Sequence, residues 1–512
     1  MKLLTLQLNT AFNSLQPFAR QEFVYFPEKK NILEPICLIG ANGSGKSNML
    51  EFITEVFFYI ENEVRFEQKG TRKIDREFII EYFLFNAKGN ETRVKIDSGG
   101  DSKWKMYVQK KDKWQEISDD YKLVQQHLPE KIVGYTSGMN ETLSFRFAQL
   151  NGEYATIVRE AGINNPKTKI PDNRLIFIDY DANAAILIAN YLLKSKEDLH
   201  LFEETIRVTG LTYFKLVLDF ELSSKKYVQL TDEHRTIIQR FKSCSTTFNI
   251  ISEEKDEGIE YHFCEFDFVV NEATKKAFKF NFKDAYTLFM SFQKLSLLND
   301  LKLKRKYRYI SGKGIDQMPP KVGFEERVFR FTDIQLKIHS PERVIPYIGI
   351  SDGEHQFIEV IGSIMLFSQR NVLFLYDEPE THFNPQWRSK LISIIHEKTK
   401  NRLQELILTT HSPFIVSDCK GYNVYKFWRD KEAVWFAPIG IETYGTSITI
   451  ILKEVFDKNI LISELAREDI EQTLKSDNLA TLQDKYDELG ESRDRDLLLE
   501  KMNRILLEKN KD

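Results

Sequence analysis

Cysteine is scarce in this chain. Four are present among 512 residues, Cys37, Cys244, Cys264 and Cys419, and no two form a CxxC pair. That argues against a disulfide framework or a thiolate zinc site and fits a reducing compartment. No apolar run reaches the roughly 18 residues that a membrane span requires. The stretch MKLLTLQLNTAFNSL alternates polar and apolar residues and lacks the apolar core of a signal peptide, so a cytoplasmic protein without a membrane partner is expected. A surplus of positive charge is missing as well: 72 basic against 76 acidic residues leave a net charge of −4. Uniform coating of nucleic acid is thereby disfavoured, while a local basic groove is still allowed. Internal repeats, low-complexity tracts and long heptad runs are also lacking.

Apolar content, in contrast, is ample. At 42% hydrophobic residues the chain can fill the cores of two or three domains. KLLTLQLN has the period of a half-buried strand, and EPICLIG is a buried strand feeding a glycine loop. SNMLEFITEVFFYIENEV carries helical periodicity, residues 75–112 form a strand meander, and NRLIFIDYDANAAILIANYLL reads as a strand and then a helix. The pattern shifts between 196 and 335, where charged helices alternate with strands, as in an inserted domain. NVLFLYDEPE and QELILTTHSPFIV then resume buried strands that end in polar loops, and residues 452–512 predict a helical tail. The expected division is therefore 1–195, 196–335, 336–451 and 452–512.

Gly40-Ala41-Asn42-Gly43-Ser44-Gly45-Lys46-Ser47 fits G-x-x-x-x-G-K-[ST], with strand before and helix after. Such glycines let backbone N–H groups curl round phosphate oxygens. Lys46 supplies a point charge, the Ser47 hydroxyl can ligate Mg²⁺, and Gly40, Asn42, Gly43, Ser44, Gly45 and Asn48 complete the cradle. Asp377 and Glu378 arrive at the carboxyl end of an apolar strand, where Asp377 can hold Mg²⁺ and Glu378 can polarise water as a general base. An acidic strand-to-loop cap would look the same locally. His411 follows the next apolar strand, placed to contact a γ-phosphate, though lone histidines are more often structural. Ser351, Gly353 and Glu354 stand in a polar loop before an apolar-periodic helix. Ser351 there is either a phosphate donor or a plain helix N-cap.

Taken in order, the glycine loop, S-x-G-E, DEPE and TTHSP resemble the ABC-type ATPase superfamily. The resemblance implies an α/β fold, an ATPase head of mixed or parallel sheet with flanking helices, and bound ATP and Mg²⁺. It also implies a dimer, or higher oligomer, in which the Ser351 loop of one copy closes on the nucleotide of another. The usual L-S-G-G-Q of that loop is Ile350-Ser351-Asp352-Gly353-Glu354 here, and Asn384 stands where transport ATPases have aspartate. The glutamine-bearing loop of the superfamily has no clear counterpart; YTSG is a candidate without a glutamine. Some three hundred residues separate Lys46 from Ser351, far more than in transporters, which resembles the SMC, RecF and OLD group. Without long heptads, a compact α+β insertion is expected rather than a coiled-coil arm.

DEPETHFNP followed by TTHSPFIV looks most like OLD-like ATPases. The tail is too short for a TOPRIM nuclease, and no HNH-type cluster is visible, so no nuclease centre is expected. That combination resembles the PtuA-type ATPases of Septu and retron-associated anti-phage systems, which implies an HNH-type nuclease partner and contact with DNA or a retron RNA/DNA complex. A RecF- or SMC-like repair ATPase and a nucleotide-gated scaffold with little hydrolysis are the alternatives. Lys302, Lys304, Arg305, Lys306 and Arg308, with Tyr307 and Tyr309 interleaved, form a candidate backbone-gripping segment, although most charge runs are solvated surface. Asp179 and Asp181 resemble a metal pair but read better as a strand end.

Overall fold

A computed structural model describes residues 1–65, 74, 76–99, 103–138, 141–223, 226–255, 258–304, 320–339, 342–431, 433–457 and 462–509. The chain opens with β1 (Lys2–Leu8), β2 (Phe18–Glu22) and the wholly buried β3 (Ile36–Gly40), which leads through a loop into helix α1 (Lys46–Arg65). Strands β4 (Phe78–Phe85), β5 (Glu91–Ser98), β6 (Trp104–Lys110) and β7 (Lys113–Glu116) form the meander. Helix α2 (Tyr121–Gln126), β8 (Lys131–Thr136), α3 (Glu141–Asn164), β9 (Leu175–Ile178) and α4 (Tyr180–Leu193) follow.

A second block holds α5 (Lys196–Ile206), β10 (Val208–Asp219), β11 (Glu221–Ser223), β12 (Lys226–Tyr227), α6 (Asp232–Cys244), β13 (Thr247–Lys255) and β14 (Gly258–Val269). It continues with α7 (Glu272–Phe282), α8 (Ala285–Ser296), β15 (Phe329–His339) and β16 (Glu342–Pro346). Next come α9 (Asp352–Phe357), a π-helical turn at Ile358–Gly362, α10 (Ser363–Leu366), β17 (Val372–Asp377), α11 (Pro385–Lys398) and β18 (Glu405–Thr410). Helix α12 (Pro413–Ser417) precedes the hairpin β19 (Val424–Asp430) and β20 (Ala433–Pro438).

The expected α/β class is observed. A seven-stranded sheet runs β20-β19-β3-β18-β17-β8-β9, parallel except for the edge strand β20. β3, β8, β17 and β18 are buried on both faces, which explains their unbroken apolar runs. An antiparallel six-stranded sheet, β2-β1-β4-β5-β6-β7, shares one apolar core with it, and α1 contributes Met49, Phe52, Ile53, Val56 and Phe57 to that core. Each such buried side chain stabilises by about 1.5–3 kcal/mol, so the helix leaving the glycine loop is held between two layers. The second block builds the five-stranded antiparallel sheet β13-β14-β10-β15-β16, packed through rings such as Phe214 on Phe268 and Phe241 on Phe292.

Periodicity predicts one continuous helix after Ser351; the structure interrupts it with the π turn. Asn190 on α4 donates to the Gly362 carbonyl at 3.2 Å, and the Ser363 hydroxyl meets Val360 O at 3.0 Å and Tyr376 OH at 2.7 Å. Side chains inserted into the backbone ladder are a usual cause of such bulges. Residues Thr446–Asp512 form a unit of their own. It contains α13 (Ile448–Ile450), α14 (Glu464–Thr473), α15 (Leu479–Glu488) and α16 (Arg493–Lys509), the last three around Ile470, Leu482, Leu498 and Met502. Among the described residues no helix is long and apolar enough to cross a membrane.

Candidate functional site

Parallel order brings the ends of β3, β18, β17 and β8 side by side, and the carboxyl ends of such strands are where open α/β sheets bind ligands. Gly40 closes β3 at φ +149°, where a Cβ would stand 2.3 Å from the Phe427 carbonyl oxygen. Gly45 has φ +90°, and a Cβ there would lie 2.8 Å from Val434 Cγ1. The β19–β20 hairpin thus presses directly on the glycine loop. Arg429 adds a fork: its Nε and Nη2 donate to Gly43 O at 3.0 and 2.8 Å. Asn48 donates to Ser14 Oγ at 2.6 Å and ties the start of α1 to the segment after β1. Asn42 and Gly43 are exposed at the crest of the loop.

Lys46 is 5% exposed, and its Nζ donates to Gly40 O at 3.1 Å and Ala41 O at 3.2 Å. Burial lowers its pKa, while Glu378, Asp377 and Glu380 pull the other way. Ser47 Oγ lies 3.0 Å from both carboxylate oxygens of Asp377. Register explains the rest of that carboxylate's setting: Asp377 stands opposite Thr409 on one side and Thr136 on the other. The Thr409 hydroxyl donates to Asp377 Oδ1 at 2.6 Å, and Thr136 Oγ1 is 3.5 Å from Oδ2.

Glu378 adopts φ +51°, a left-handed conformation uncommon for a residue with a side chain, immediately before Pro379. Its Oε1 lies 3.2 Å from His411 Nε2, and the same nitrogen is 2.8 Å from Lys46 Nζ. One ring nitrogen carries either a hydrogen or a lone pair, so it serves the carboxylate or the ammonium but not both at once. The His411 hydrogen bond, with the His411 and Lys46 charges, holds the Glu378 carboxyl below its ordinary pKa. Lys46, Ser47, Asp377, Glu378 and His411 thus form one cluster.

Ser351 caps α9. Its Oγ accepts from Glu354 N at 3.4 Å, and its own N–H donates to Glu354 Oε2 at 2.8 Å, which closes a capping box. A Cβ on Gly353 would come within 2.9 Å of His382 O. Ser351 and Glu354 bond within their own helix, Glu354 lies 3.9 Å from Arg207, and Gly353 abuts His382 and Trp387; among the described residues no hydrogen bond or ion pair joins them to Gly40–Asn48.

Several members of the neighbourhood were given no role by the motifs that contain them. Glu380 is 4% exposed, accepts from the Thr410 hydroxyl, and is raised to about 7, chiefly by burial. Only the period of β18, which turns Thr409 and Thr410 to opposite faces, hinted at these partners. Asp179 is the N-cap of α4, accepting from Ala182 N at 3.0 Å, and Asp181 pairs with Arg327 at 2.8 Å, so both have structural partners. Lys302 donates to Glu221 O, whereas Arg305, Lys306, Tyr307, Arg308 and Tyr309 lie outside the described residues.

Residues 275–417, which include Ser351, Asp377, Glu378 and His411, match the sequence profile of the family described as "AAA domain, putative AbiEii toxin, Type IV TA system". A stretch of 84 residues is 31% identical to protein ea59 of Escherichia phage lambda and covers 16% of each chain. Similar solved structures include an Smc head bound to the C-winged helix domain of ScpA (11% identity, TM-score 0.35, covering 85% of this chain and 98% of that one). Others are the SMC head domain from Thermotoga maritima (10%, 0.34, 86% and 100%) and the recombination mediator protein RecF with ATPrS (14%, 0.30, 85% and 97%). Scores this low transfer no activity.

Proposed function

We propose that this chain is an ABC-type ATPase of the SMC/RecF/OLD-like group that dimerises around ATP. The observation that carries the reading is the cluster of Lys46, Ser47, Asp377, Glu378 and His411 at the carboxyl ends of β3, β17 and β18. A polyphosphate fits it. Among the described residues Ser44 Oγ is buried without a hydrogen-bond partner, Gly40, Gly43 and Gly45 hold positive φ, and Lys46 is buried beneath them. Mg²⁺ fits the hydroxyl and carboxylate oxygens of Ser47 and Asp377, as a hard cation requires.

With ATP bound, the Mg²⁺–triphosphate supplies an activated phosphoanhydride. Lys46 would neutralise phosphate charge, Ser47 and Asp377 would hold the metal, and Glu378, kept ionised by its contact with His411, would accept a proton from water. His411, facing both Glu378 and Lys46, responds to charge arriving between them. Ser351, Gly353 and Glu354 of a second copy would close the site from the other side, with the α9 N-terminus directed at the γ-phosphate. Closure would regulate a nuclease partner of HNH type in anti-phage defence, on DNA or a retron complex, within the cytoplasm. The toxin–antitoxin description of the matched family and the phage origin of the similar protein are in keeping with that setting.

Single-turnover hydrolysis by the wild type and Glu378→Gln tests the enzyme reading. Turnover lost in the variant with ATP binding retained supports it; equal, negligible rates would replace it with a nucleotide-gated scaffold. DNA affinity with and without ATP, across salt, separates defence from repair. Tight ATP-dependent DNA binding by this chain alone would favour a RecF-like role.

A further inference from the structure

The side-chain amide of Gln356 joins segments that the phosphate site leaves apart. Gln356 lies on α9 just beyond Ser351 and is 2% exposed. The backbone N–H of His382 donates to its Oε1 at 2.7 Å, and its Nε2 donates to the Tyr135 hydroxyl at 3.0 Å. A backbone N–H can only donate, so the amide is oriented with its oxygen toward His382.

Both ends of this bridge reach the carboxylates. Tyr135 precedes Thr136, whose hydroxyl approaches Asp377. Before His382, the Thr381 hydroxyl lies 3.0 Å from Glu378 O and 2.9 Å from Ser137 Oγ, and Ser137 N donates to Asp377 O at 3.1 Å. Packing closes the joint as well. Gly353 leaves no room for a Cβ under His382 O, and the rings of Phe357, Phe383 and Trp387 meet at 5.7 to 6.2 Å.

We propose that Gln356 is a positioning residue that couples the Asp377–Glu378 centre of one copy to its own Ser351 loop, and so to the nucleotide held by a second copy. The inference rests on the ATPase dimer above and adds the residue that makes its two sites act together. In such a dimer Glu378 and Ser351 of one chain serve different nucleotides, so a stiff link between them passes the state of one site to the other. Two hydrogen bonds and a tight backbone contact make that link stiff.

Gln356→Leu keeps side-chain size and removes both bonds; Tyr135→Phe removes one. Hydrogen exchange of the nucleotide-free chain should quicken about tenfold at the His382 amide in Gln356→Leu, the loss of roughly one net hydrogen bond, with remote amides unchanged. Turnover against ATP concentration should pass from sigmoidal in the wild type to hyperbolic, while ATP affinity at the glycine loop is unaltered. Tyr135→Phe should move both readouts the same way by less. Unchanged exchange at His382 would overturn the proposal. So would retained sigmoidicity, or a general loss of ATP binding and cooperative melting, which a merely structural role would give. A wild-type chain that neither binds ATP nor dimerises would overturn the ATPase reading instead, and the exchange comparison would still decide whether Gln356 holds the joint.

Discussion

At the residue scale the site combines backbone conformations and charges that few substitutions tolerate. Gly45 is the sharpest case, because φ +90° and the Val434 side chain both oppose a Cβ. We expect Gly45→Ala to cost about 2 kcal/mol or more through strain and overpacking, read by thermal melting, and to abolish ATP binding in calorimetry. Glu380 gives a second prediction, with a definite sign. Its pKa is raised from 4.5 to about 7, so its stabilising contribution is complete below pH 4.5 and is lost as pH rises through 7. Glu380→Gln carries no such charge. The variant should therefore gain stability relative to the wild type between pH 5 and pH 8, by on the order of 3 kcal/mol at most. Melting curves across that range check it, and a pH-independent difference would contradict the raised pKa of Glu380. The glycines and Lys46 were legible in the sequence because spacing alone reports a phosphate cradle. The roles of Glu380 and Thr409, though both stand inside quoted motifs, and of Arg429 were not, because their partners come from strand register and a distant hairpin.

At the element scale, apolar runs identified β3, β17 and β18, since a strand buried on both faces leaves no polar positions to blur it. The π turn at Ile358–Gly362 had no such signal: its carbonyls are met by Ser363 and by Asn190, which reaches across from another helix. Strands β2 and β7 were equally hidden, being short and largely exposed. Ser351 shows how one residue satisfies two readings, and the α9 cap allows them to be separated. Ser351→Ala should lose about 1 kcal/mol by removing the N-cap. Ser351→Asp keeps a capping oxygen for Glu354 N but stands its carboxylate beside Glu354 Oε2, which the Ser351 hydroxyl meets at 3.0 Å, so it should melt about as far below the wild type as Ser351→Ala does. A carboxylate facing the γ-phosphate would also repel it, and ATP-dependent dimerisation should fail in light scattering. An Asp variant that dimerises normally would leave Ser351 as a cap alone.

For the whole molecule, two units are distinguished, Met1–Gly445 and Thr446–Asp512. The first carries every residue of the phosphate cluster. A chain ending at Gly445 should accordingly melt cooperatively and retain ATP affinity within about threefold, a difference under 1 kcal/mol; loss of partner-nuclease co-purification in that variant would assign the second unit to docking. The intact chain with the hydrolysis-deficient Glu378→Gln should double its mass on adding ATP and Mg²⁺, whereas Lys46→Ala should not. The resemblance carried by the ordered motifs implied the α/β class, but no local signal told which strands pair in the antiparallel sheets. Their pairing depends on contacts remote in sequence, such as β10 with β15.

The four cysteines acquire a use that their scarcity conceals. All are buried, Cys37 in β3, Cys419 in the segment between α12 and β19, and Cys244 and Cys264 in the block built on the five-stranded sheet. A thiol reagent can reach them only when the surrounding layer opens, so each labelling rate measures the frequency of a local opening. The chain thus carries two pairs of built-in clocks, one beside the seven-stranded sheet and one in the block of the five-stranded sheet. Mass spectrometry of labelled peptides would time them separately and show which layer ATP quiets.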